Sequence, residues 1–320
     1  RFVTSAVSTA HASGRLPTNV AGDLFVNNKC IDCDACRAIA PEVYKAAAGA
    51  AAVHHQPVTD EEKRKAYQAL VSCPVGAIRT DAKTKEVRDE IRDAAASLPS
   101  HISLDLPGVF FNGYTDRKTF GARSYTLLAG DATRRAAVMF DSPRFSEPLA
   151  AQIEALAGGS DGIKYMVLSH RDDVGDHAKW AARFPLKRVI HRRDVSKRSG
   201  TDKCEVILDG DGPWSLDDAP GLEVIGVPGH TAGCVALHVP ERKVLFTGDH
   251  LAFSGRTGAL SGFPRYNWFS WEKQVESMQK LVDLDFLWIL PGHGRPHHFE
   301  TAQQRKEEMR ELVNRMPSER

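Results

Sequence analysis

The sequence lacks both a large excess of charge and any long apolar run. Its 320 residues include 42 Lys or Arg and 41 Asp or Glu, which gives a formal net charge of +1. A near-neutral chain is not built throughout to coat nucleic acid or an anionic membrane. No apolar stretch approaches the roughly 20 residues that span a bilayer, so no membrane-spanning helix is expected. The length suggests two domains and is sufficient for a sizeable core.

Cysteine is scarce, with six residues in the chain, and a disulfide framework is not expected in a protein of this size. The spacing of four of them indicates another use. Cys30, Cys33 and Cys36 are each separated by two residues, and Cys73 follows at a distance, directly before a proline. Three close thiolates and a distant fourth can hold a cubic iron–sulfur cluster. The alternative is a zinc ribbon, but the second CxxC knuckle that such sites usually have is absent.

Acidic residues are missing from residues 1–22, which are rich in Ser, Thr and Ala and contain two arginines. This composition predicts a flexible terminus or the remainder of an organellar transit peptide. The expected location is the chloroplast stroma, and the mitochondrion and the cytoplasm are the alternatives.

The cysteines define a predicted first domain over residues 23–84, in which Thr59 caps a helix that runs toward Cys73. Residues 85–107, which include a helix over 89–96, are predicted to be a linker. The remaining residues, 108–320, are predicted to form a second domain.

Beyond residue 108, short apolar strands alternate with helical stretches, which indicates mixed layers of sheet and helix. The predicted strands are 109–114, 124–128, 136–140, 165–168, 189–191, 224–227, 235–238, 244–246 and 287–290. The predicted helices are 147–157, 177–184, 271–283 and 301–315. The sequence has no internal repeat and no phosphate-binding loop of the GxxxxGK[ST] type.

Histidine is concentrated in this second part, where nine of the 13 lie at or after His170. Four predicted strands are each followed by a polar residue, namely His170, His230, Asp249 and His293, and the last three come directly after a glycine. Glycine permits sharp backbone turns where a strand ends. Four such ends at one sheet edge would present three imidazoles and a carboxylate to one or two cations.

The segments around these residues resemble the ordered motifs of the metallo-β-lactamase superfamily. The four segments are HRDDVGDH at 170–177, PGHTAG at 228–233, TGD at 247–249 and PGHG at 291–294. The resemblance covers about residue 108 to the C-terminus, and its motifs are specific together but weak singly. It implies a four-layer αββα sandwich with one or two divalent ions, Zn, Fe or Mn, at the sheet edge. Asp141 resembles the structural Asp of this family, which orients backbone.

The first motif departs from the HxHxDH pattern of the family. His170 is retained, but Asp172 occupies the position of the next histidine ligand. When the pattern is aligned without a gap, its Asp-His pair falls on Val174 and Gly175. A two-residue insertion, which we favour, restores the pair as Asp176 and His177.

With the insertion, seven residues are expected to be metal ligands. They are His170, Asp172, Asp176, His177, His230, Asp249 and His293. Asp249 would bridge two ions, and Asp176 or Asp249 would be the catalytic proton acceptor. Without the insertion, one metal ion or none is expected.

The N-terminal part resembles single-cluster bacterial-type ferredoxins through CIDCDAC at 30–36 and SCPVGAI at 72–78. The resemblance implies one [4Fe-4S] cluster bound by the four cysteines. The expected fold class is therefore α+β, with a small ferredoxin-like domain followed by a four-layer αββα metallo-β-lactamase sandwich.

Three functions remain open at this point. Metal ions near a carboxylate activate water and polarise carbonyl or phosphoryl oxygens, so the first is hydrolysis of an ester, thioester, lactone or phosphodiester. Hydrolysis needs no electrons, whereas a cluster carries them, so the second is an iron-dependent oxidoreductase fed by the cluster. The third is a non-catalytic electron-transfer or assembly partner. Asp172 in place of a neutral histidine favours harder ions such as iron or manganese.

The expected partners follow from these functions. A small-molecule substrate is expected, and a redox protein is a candidate partner for the cluster. The basic run at 187–203 is interpreted as a solvated surface, and no nucleic acid partner is expected.

Overall fold

The structure is a computed structural model, and it describes residues 14–130 and 136–319. The chain divides after Ser97 into two compact units. The prediction for residues 1–22 lies partly outside the described residues, which begin at Gly14.

The described part of the first unit is built from short strands and three helices. In chain order they are β1 (Leu24–Val26), α1 (Ala35–Ile39), β2 (Tyr44–Ala47), β3 (Ala50–Val53), α2 (Asp60–Ser72), β4 (Ile78–Thr80) and α3 (Lys85–Ala96). β1 pairs antiparallel with β4, and β2 with β3. Thr59 caps α2 as predicted, because its hydroxyl accepts the Glu62 N–H while the Glu62 carboxylate accepts the Thr59 N–H.

Two segments that were predicted to lie outside the first domain pack onto this unit. Asn19 lies in the predicted flexible or transit segment, but its side-chain oxygen accepts the backbone N–H groups of Val26 and Val53. α3 lies in the predicted linker, but it carries Ala94 into the core of the unit. Composition and charge did not reveal either contact, because both depend on where neighbouring strands and helices lie.

The second unit contains the remaining elements. In chain order they are β5 (Ser100–His101), β6 (Val109–Phe111), β7 (Tyr125–Ala129), β8 (Ala136–Phe140), α4 (Glu147–Ala157), β9 (Ile163–Val167), α5 (His177–Arg183), β10 (Lys187–His191), β11 (Val206–Leu208), β12 (Trp214–Ser215), β13 (Glu223–Gly226), β14 (Val235–Val239), β15 (Val244–Gly248), β16 (Ala252–Ser254), β17 (Ala259–Ser261), α6 (Trp271–Leu281), β18 (Trp288–Pro291), β19 (His297–His298) and α7 (Ala302–Arg315). Every predicted strand and helix beyond residue 108 is present. The strand predicted over 109–114 ends early because Gly113 and Tyr114 have positive φ angles of 67° and 46°.

The strands form two main sheets. The first follows chain order from β5 to β11, and the second has the order β12-β13-β14-β15-β18-β19. β8, β9, β10 and β11 are parallel neighbours, as are β15 and β18. β16 and β17 form a separate hairpin.

The two sheets pack face to face between helices. The ring of Phe246 on β15 lies 5.4 Å from Phe140 on β8 and 5.5 Å from Tyr125 on β7. α4 and α5 cover the outer face of the first sheet, where Trp180 is buried, and α6 and α7 cover the second, where Met278 is buried. This is the expected four-layer αββα sandwich, in a chain that is α+β as a whole. No helix in the described ranges is both long and apolar enough to cross a membrane.

The topology sets the place of the candidate site. β13, β15 and β18 run in the same direction in the second sheet, so the segments that follow them leave one edge. These segments carry His230, Asp249 and His293, while His170 follows β9 of the first sheet. The strand ends thus supply the same four residues that the sequence pattern singled out.

Candidate metal centres

The first unit gathers its four cysteines around one cavity. These residues, all of them free thiols, are Cys30, Cys33, Cys36 and Cys73. The backbone N–H of Ala51 donates to Cys30 Sγ at 3.4 Å, and that of Ala77 donates to Cys73 Sγ at 3.2 Å. Four sulfurs around one space, with N–H groups directed at them, fit an iron–sulfur cluster, whose potential depends on such hydrogen bonds.

Salt bridges stabilise the loop between the cysteines. Asp32 and Asp34 have left-handed φ angles of 57° and 65°, and the Arg37 guanidinium donates hydrogen bonds to both carboxylates.

Burial raises the pKa of the Cys33 thiol to about 11 and that of Cys36 well above its ordinary value. These sulfurs therefore need a strongly electron-accepting partner, such as iron, in order to ionise.

In the second unit, His170 and His230 present two buried imidazoles at the sheet edge. Their rings are perpendicular, with centroids 4.7 Å apart. The Nε2 atom of each is buried and has no hydrogen-bond partner among the described residues. His170 Nδ1 lies 2.8 Å from Ser169 Oγ. When Nδ1 donates its hydrogen to this hydroxyl, the free lone pair of the ring is on Nε2. Because buried polar atoms are rarely left unpartnered, this pair indicates a ligand-binding position.

Two carboxylates face these nitrogens. Asp249 Oδ2 lies 3.8 Å from Nε2 of both His170 and His230, and Asp172 Oδ2 lies 3.7 Å from His230 Nε2. Ligand atoms on one tetrahedral ion are about 3.4 Å apart. The donors of His170, Asp172 and His230 all lie within 4.8 Å of one another, so the set fits a shared divalent ion.

The protonation states suit the same role. Burial lowers the pKa of His170 to about 4, which leaves its imidazole neutral near pH 7. Burial opposes ionisation of Asp249, but the neighbouring His293, His170 and His230 hold its pKa well below its ordinary range. The imidazole of His230, whose Nε2 lies 3.7 Å from Asp172 Oδ2, lowers the pKa of Asp172. The site therefore offers a neutral imidazole at His170 and ionised carboxylates at Asp172 and Asp249, which are the forms that bind metals.

His293 lies beside Asp249 and orients it. Its Nδ1 lies 2.8 Å from Asp249 Oδ1, and its backbone N–H donates to the same oxygen at 3.1 Å. Burial opposes protonation of His293, but the charge of Asp249 raises its pKa overall. The same Nδ1 also lies 2.9 Å from Oδ2, the oxygen that is 3.8 Å from Nε2 of both His170 and His230.

Asp173 is a carboxylate that the sequence reasoning missed. It is 1% exposed, and its Oδ2 has no hydrogen-bond partner in the described parts of the chain. Together with His170 and Asp249 it forms a second set of donors within 4.8 Å of one another. Burial first, and the charge of Asp249 next, raise the pKa of Asp173 well above its ordinary value. Its position next to Asp172 was the available signal, but the family pattern places no ligand there.

Asp194 joins the two loops that carry the buried histidines. Its carboxylate accepts the Arg171 N–H at 3.0 Å, the Gly233 N–H at 3.0 Å and the Thr231 hydroxyl at 2.5 Å. These donors lie on the loops after β9 and β13. Asp194 follows β10, the parallel neighbour of β9, so the rule that polar residues gather after strand ends would have found it.

Asp141 supports the backbone, as its resemblance to the structural Asp implied. Its Oδ1 accepts the Ser169 N–H at 2.7 Å, directly before His170. Burial raises the pKa of Asp141 to about 8.

Exposed aromatic side chains lie next to His230 and His293. The Phe120 ring is 6.4 Å from His293, and the Trp268 ring is 6.2 Å from His230 and 6.5 Å from Tyr266. Phe120, Tyr266 and Trp268 are 54%, 59% and 58% exposed. We call these three side chains the aromatic rim.

Two family models match the chain, one on each unit. The model for the 4Fe-4S single cluster domain of Ferredoxin I matches residues 26–80, and that for the Metallo-beta-lactamase superfamily matches residues 121–293. The chain belongs to the metallo-β-lactamase superfamily. In this superfamily member an N-terminal 4Fe-4S domain precedes the sandwich, which favours the iron–sulfur interpretation of the cysteines over the zinc ribbon.

Curated relatives match this superfamily member over about half their length. The Beta-lactamase-like protein 2 homolog of Caenorhabditis elegans is 30% identical over 173 residues, which are 53% of this chain and 55% of that protein. The Hydroxyacylglutathione hydrolase of Ruegeria pomeroyi is 27% identical over 150 residues, 47% and 56% of the two chains. The protein of the same name from Brucella ovis is 43% identical over 155 residues, 48% and 57%.

A similar solved structure is the metallo-beta-lactamase from Erythrobacter litoralis. It has 17% sequence identity and a TM-score of 0.49, over 67% of this chain and 96% of that one.

The structure does not bring Asp176 and His177 to the metal centre of this superfamily member. Asp176 bonds Lys118 at 2.7 Å and Lys179 at 3.2 Å, and these lysines outweigh the effect of burial and lower its pKa. His177 Nε2 lies 2.9 Å from the Ser199 carbonyl oxygen. Both side chains are engaged at the start of α5. These contacts do not support the insertion that made the two residues ligands, or the role of Asp176 as proton acceptor.

Proposed function

We propose that the second unit is a metal-dependent hydrolase of acyl thioesters or esters, and that the first unit binds one [4Fe-4S] cluster. The observation that supports the hydrolase is the pair of buried, unpartnered Nε2 atoms of His170 and His230. Asp172 and Asp249 face them at distances that fit a shared ion. We propose Zn, Fe or Mn as this ion.

A divalent ion at this position polarises a carbonyl oxygen and brings the pKa of water toward neutrality. The chain's own residues set up the proton transfer. Asp249 is ionised, and the backbone N–H and Nδ1 of His293 hold its carboxylate in place beside the histidines. Asp249 is therefore the candidate acceptor for the proton that an attacking water loses.

The aromatic rim supports an acyl substrate with an apolar part. Phe120 lies beside His293 and Trp268 beside His230, on two different loops, and both aromatic side chains are exposed. Large exposed aromatic side chains next to a site bind apolar groups well. The relatives named Hydroxyacylglutathione hydrolase bear a name that denotes cleavage of an acyl thioester. These observations favour thioesters and esters over lactones and phosphodiesters.

Hydrolysis assays on the full chain test this proposal. The probes are a hydroxyacyl-glutathione thioester, an aryl ester, a lactone and a phosphodiester, each with added Zn²⁺, Mn²⁺ or Fe²⁺. We expect metal-dependent release of thiol or alcohol, and we expect His230→Ala to reduce it at least 100-fold because a metal ligand is lost. His101→Ala, at an exposed histidine of the same unit, is the matched control. Absence of turnover on all four classes would overturn the proposal.

A second candidate is an iron-dependent oxidoreductase fed by the cluster. The four-cysteine site favours it, because such clusters carry electrons that hydrolysis does not use. In this case a redox protein would reduce the cluster, and the chloroplast stroma is the location we propose. Hydrolysis that is unchanged between oxidised and reduced cluster supports the hydrolase. Turnover that requires the reduced cluster supports the oxidoreductase.

A further inference from the structure

Arg123 carries a buried guanidinium that has no part in the metal centre described above. It is 4% exposed, and its Nε and Nη2 atoms are buried without a hydrogen-bond partner among the described residues. Arginine stays charged in proteins, and a buried charge is costly unless a group of opposite charge binds it. An anion that is not part of the chain would supply this group.

Backbone contacts fix the position of Arg123 beside the loop that carries His293. Arg123 lies just before β7, and its N–H donates to the Gly292 carbonyl oxygen at 2.9 Å. The Tyr125 hydroxyl donates to the Pro291 carbonyl oxygen at 2.8 Å. The segment around Arg123 is therefore held against the PGHG loop, at the edge of the sandwich where the candidate metal centre lies.

The positive charge of Arg123 reaches this metal centre. Burial and, more weakly, this charge oppose protonation of His293, although Asp249 raises the pKa of the imidazole overall. Phe120 of the aromatic rim lies on the same loop as Arg123, between β6 and β7, and its ring is 6.4 Å from His293. One loop thus brings an apolar surface and a buried cation to the same histidine.

The two unpartnered atoms of Arg123 are a pair that suits a carboxylate. Nε and Nη2 lie side by side on one edge of the planar guanidinium, so their N–H groups can donate in parallel to both oxygens of one carboxylate. One guanidinium balances the single charge of a carboxylate, whereas a phosphate group carries nearly two charges at neutral pH.

We propose that Arg123 binds a carboxylate of the substrate, so that the preferred substrates are thioesters or esters that carry a carboxylate in addition to the acyl group that is cleaved. Arg123 is then a specificity-determining residue, and the aromatic rim contacts the apolar part of the same substrate. The inference rests on the proposed function for the bond that is cleaved, but not for the binding of the carboxylate.

Matched anionic and neutral thioesters test this role in the full chain with its cluster intact and with Zn²⁺ added. The first pair is the succinyl and the succinamoyl thioester of N-acetylcysteamine, which differ in a carboxylate against an amide on the acyl side. The second pair is the acetyl thioester of mercaptoacetate and that of mercaptoacetamide, which differ in the same way on the thiol side. We expect kcat/KM to favour the anionic member of at least one pair about 10- to 100-fold, as a hydrogen bond to a charged group does.

Substitutions at Arg123 test whether this residue causes the preference. Arg123→Gln should lower kcat/KM for the anionic probe to that of the neutral probe, and it should change hydrolysis of the neutral probe little. Arg123→Lys keeps the charge but loses the parallel pair of donors, so its preference should be intermediate, and it covers the case in which Arg123→Gln does not fold. Arg117→Gln, at an exposed arginine of the same loop, should match the unsubstituted chain. Equal kcat/KM for both members of both pairs would overturn the role, as would an equal loss on anionic and neutral probes in Arg123→Gln.

Ligand binding separates a failure of this inference from a failure of the hydrolase. Calorimetric titration with succinate and with its monoamide measures recognition of the second carboxylate without turnover. If no probe is hydrolysed, the hydrolase is refuted, and a preference for succinate that Arg123→Gln removes leaves the role of Arg123 standing. In that case, equal affinity for the two acids in the unsubstituted chain would overturn the role as well. Hydrolysis of both members of each pair at equal rates would refute the role of Arg123 and leave the hydrolase standing.

Discussion

Replacing Asp194 should loosen the metal centre without removing a ligand. Its carboxylate is 1% exposed and accepts hydrogen bonds from Arg171, Thr231 and Gly233. Because these donors lie directly after His170 and His230, Asp194 holds both ligand-bearing loops at one spacing. Asp194→Ala would free the loops from each other.

The size of the effect follows from the donors left behind. The Thr231 hydroxyl has another neighbour, Cys234 Sγ at 3.1 Å, so the loss of its hydrogen bond to Asp194 is partly offset. The N–H groups of Arg171 and Gly233 would be left unsatisfied, at about 1–3 kcal/mol each. The metal-free protein should therefore lose about 2–6 kcal/mol of unfolding free energy with Asp194→Ala. Asp194→Asn should lose about half as much, because its amide oxygen still accepts.

Metal affinity is the decisive assay, measured by competition for Zn²⁺ with a chromophoric chelator. Asp194→Ala should weaken Zn²⁺ binding about 10- to 100-fold, the usual effect of losing a group that orients ligands. The Zn²⁺ affinity of Asp194→Asn should lie between that of Asp194→Ala and that of the unsubstituted chain. Asp202→Ala, at an exposed acidic residue on the same segment, should change neither the unfolding free energy nor the Zn²⁺ affinity. Unchanged Zn²⁺ affinity in Asp194→Ala would refute the reasoning.

Three further predictions concern pH, the cluster and the ligands. Burial lowers the pKa of His170 to about 4 and that of His250 to about 3, against 6.5 when unfolded. At these two histidines the unfolded chain therefore binds more protons below about pH 6.5, and their contribution to stability falls from pH 6.5 to 4, against the opposite contribution of Asp141 and Asp173. In urea denaturation of the metal-free protein, His250→Gln should lose less stability between pH 6.5 and 4 than the unsubstituted chain; equal changes in the two proteins would contradict this. Cys73→Ser should abolish the visible absorption of the cluster but leave the divalent metal bound in the second unit, and metal analysis checks both. His230→Ala should abolish metal binding, whereas His293→Ala should only weaken it about 10- to 100-fold, since His293 orients Asp249. If metal content survives both changes, catalysis at this site is untenable.

The strand ends were the most informative part of the sequence. Gly229, Gly248 and Gly292 each precede a polar residue after an apolar strand, and the topology brings those polar residues together. The pattern worked because strands that run in the same direction in one sheet end at the same edge. Side-chain direction beyond that edge was not encoded in the pattern.

The prediction that Asp176 and His177 bind a metal ion shows this limit. Gly175 has a positive φ of 41°, and a Cβ there would lie 2.7 Å from the Ser142 carbonyl oxygen. The chain therefore turns tightly before α5, which leaves Asp176 against lysines rather than at the metal centre. Spacing alone predicted a ligand pair, whereas the packing of this turn places Asp173 there instead.

The contacts of Asp194 were equally out of reach of composition. It lies in a strongly basic run, where an acid is easily interpreted as a surface counter-charge. Its role depends on β10 lying next to β9, which brings the segment after β10 to the loop after β9. The position of Asp194 after a strand could have singled out the residue, but the partners of its carboxylate follow from the sheet order.

The most direct test of the metal centre is quantification of metal and sulfide in the anaerobically purified full chain, alongside His230→Ala. We predict that the unsubstituted chain contains the iron and sulfide of one [4Fe-4S] cluster plus at least one further divalent ion. His230→Ala should keep the cluster and lose the further ion. An identical metal content in the two proteins would contradict the assignment of His170, Asp172 and His230 to a shared ion.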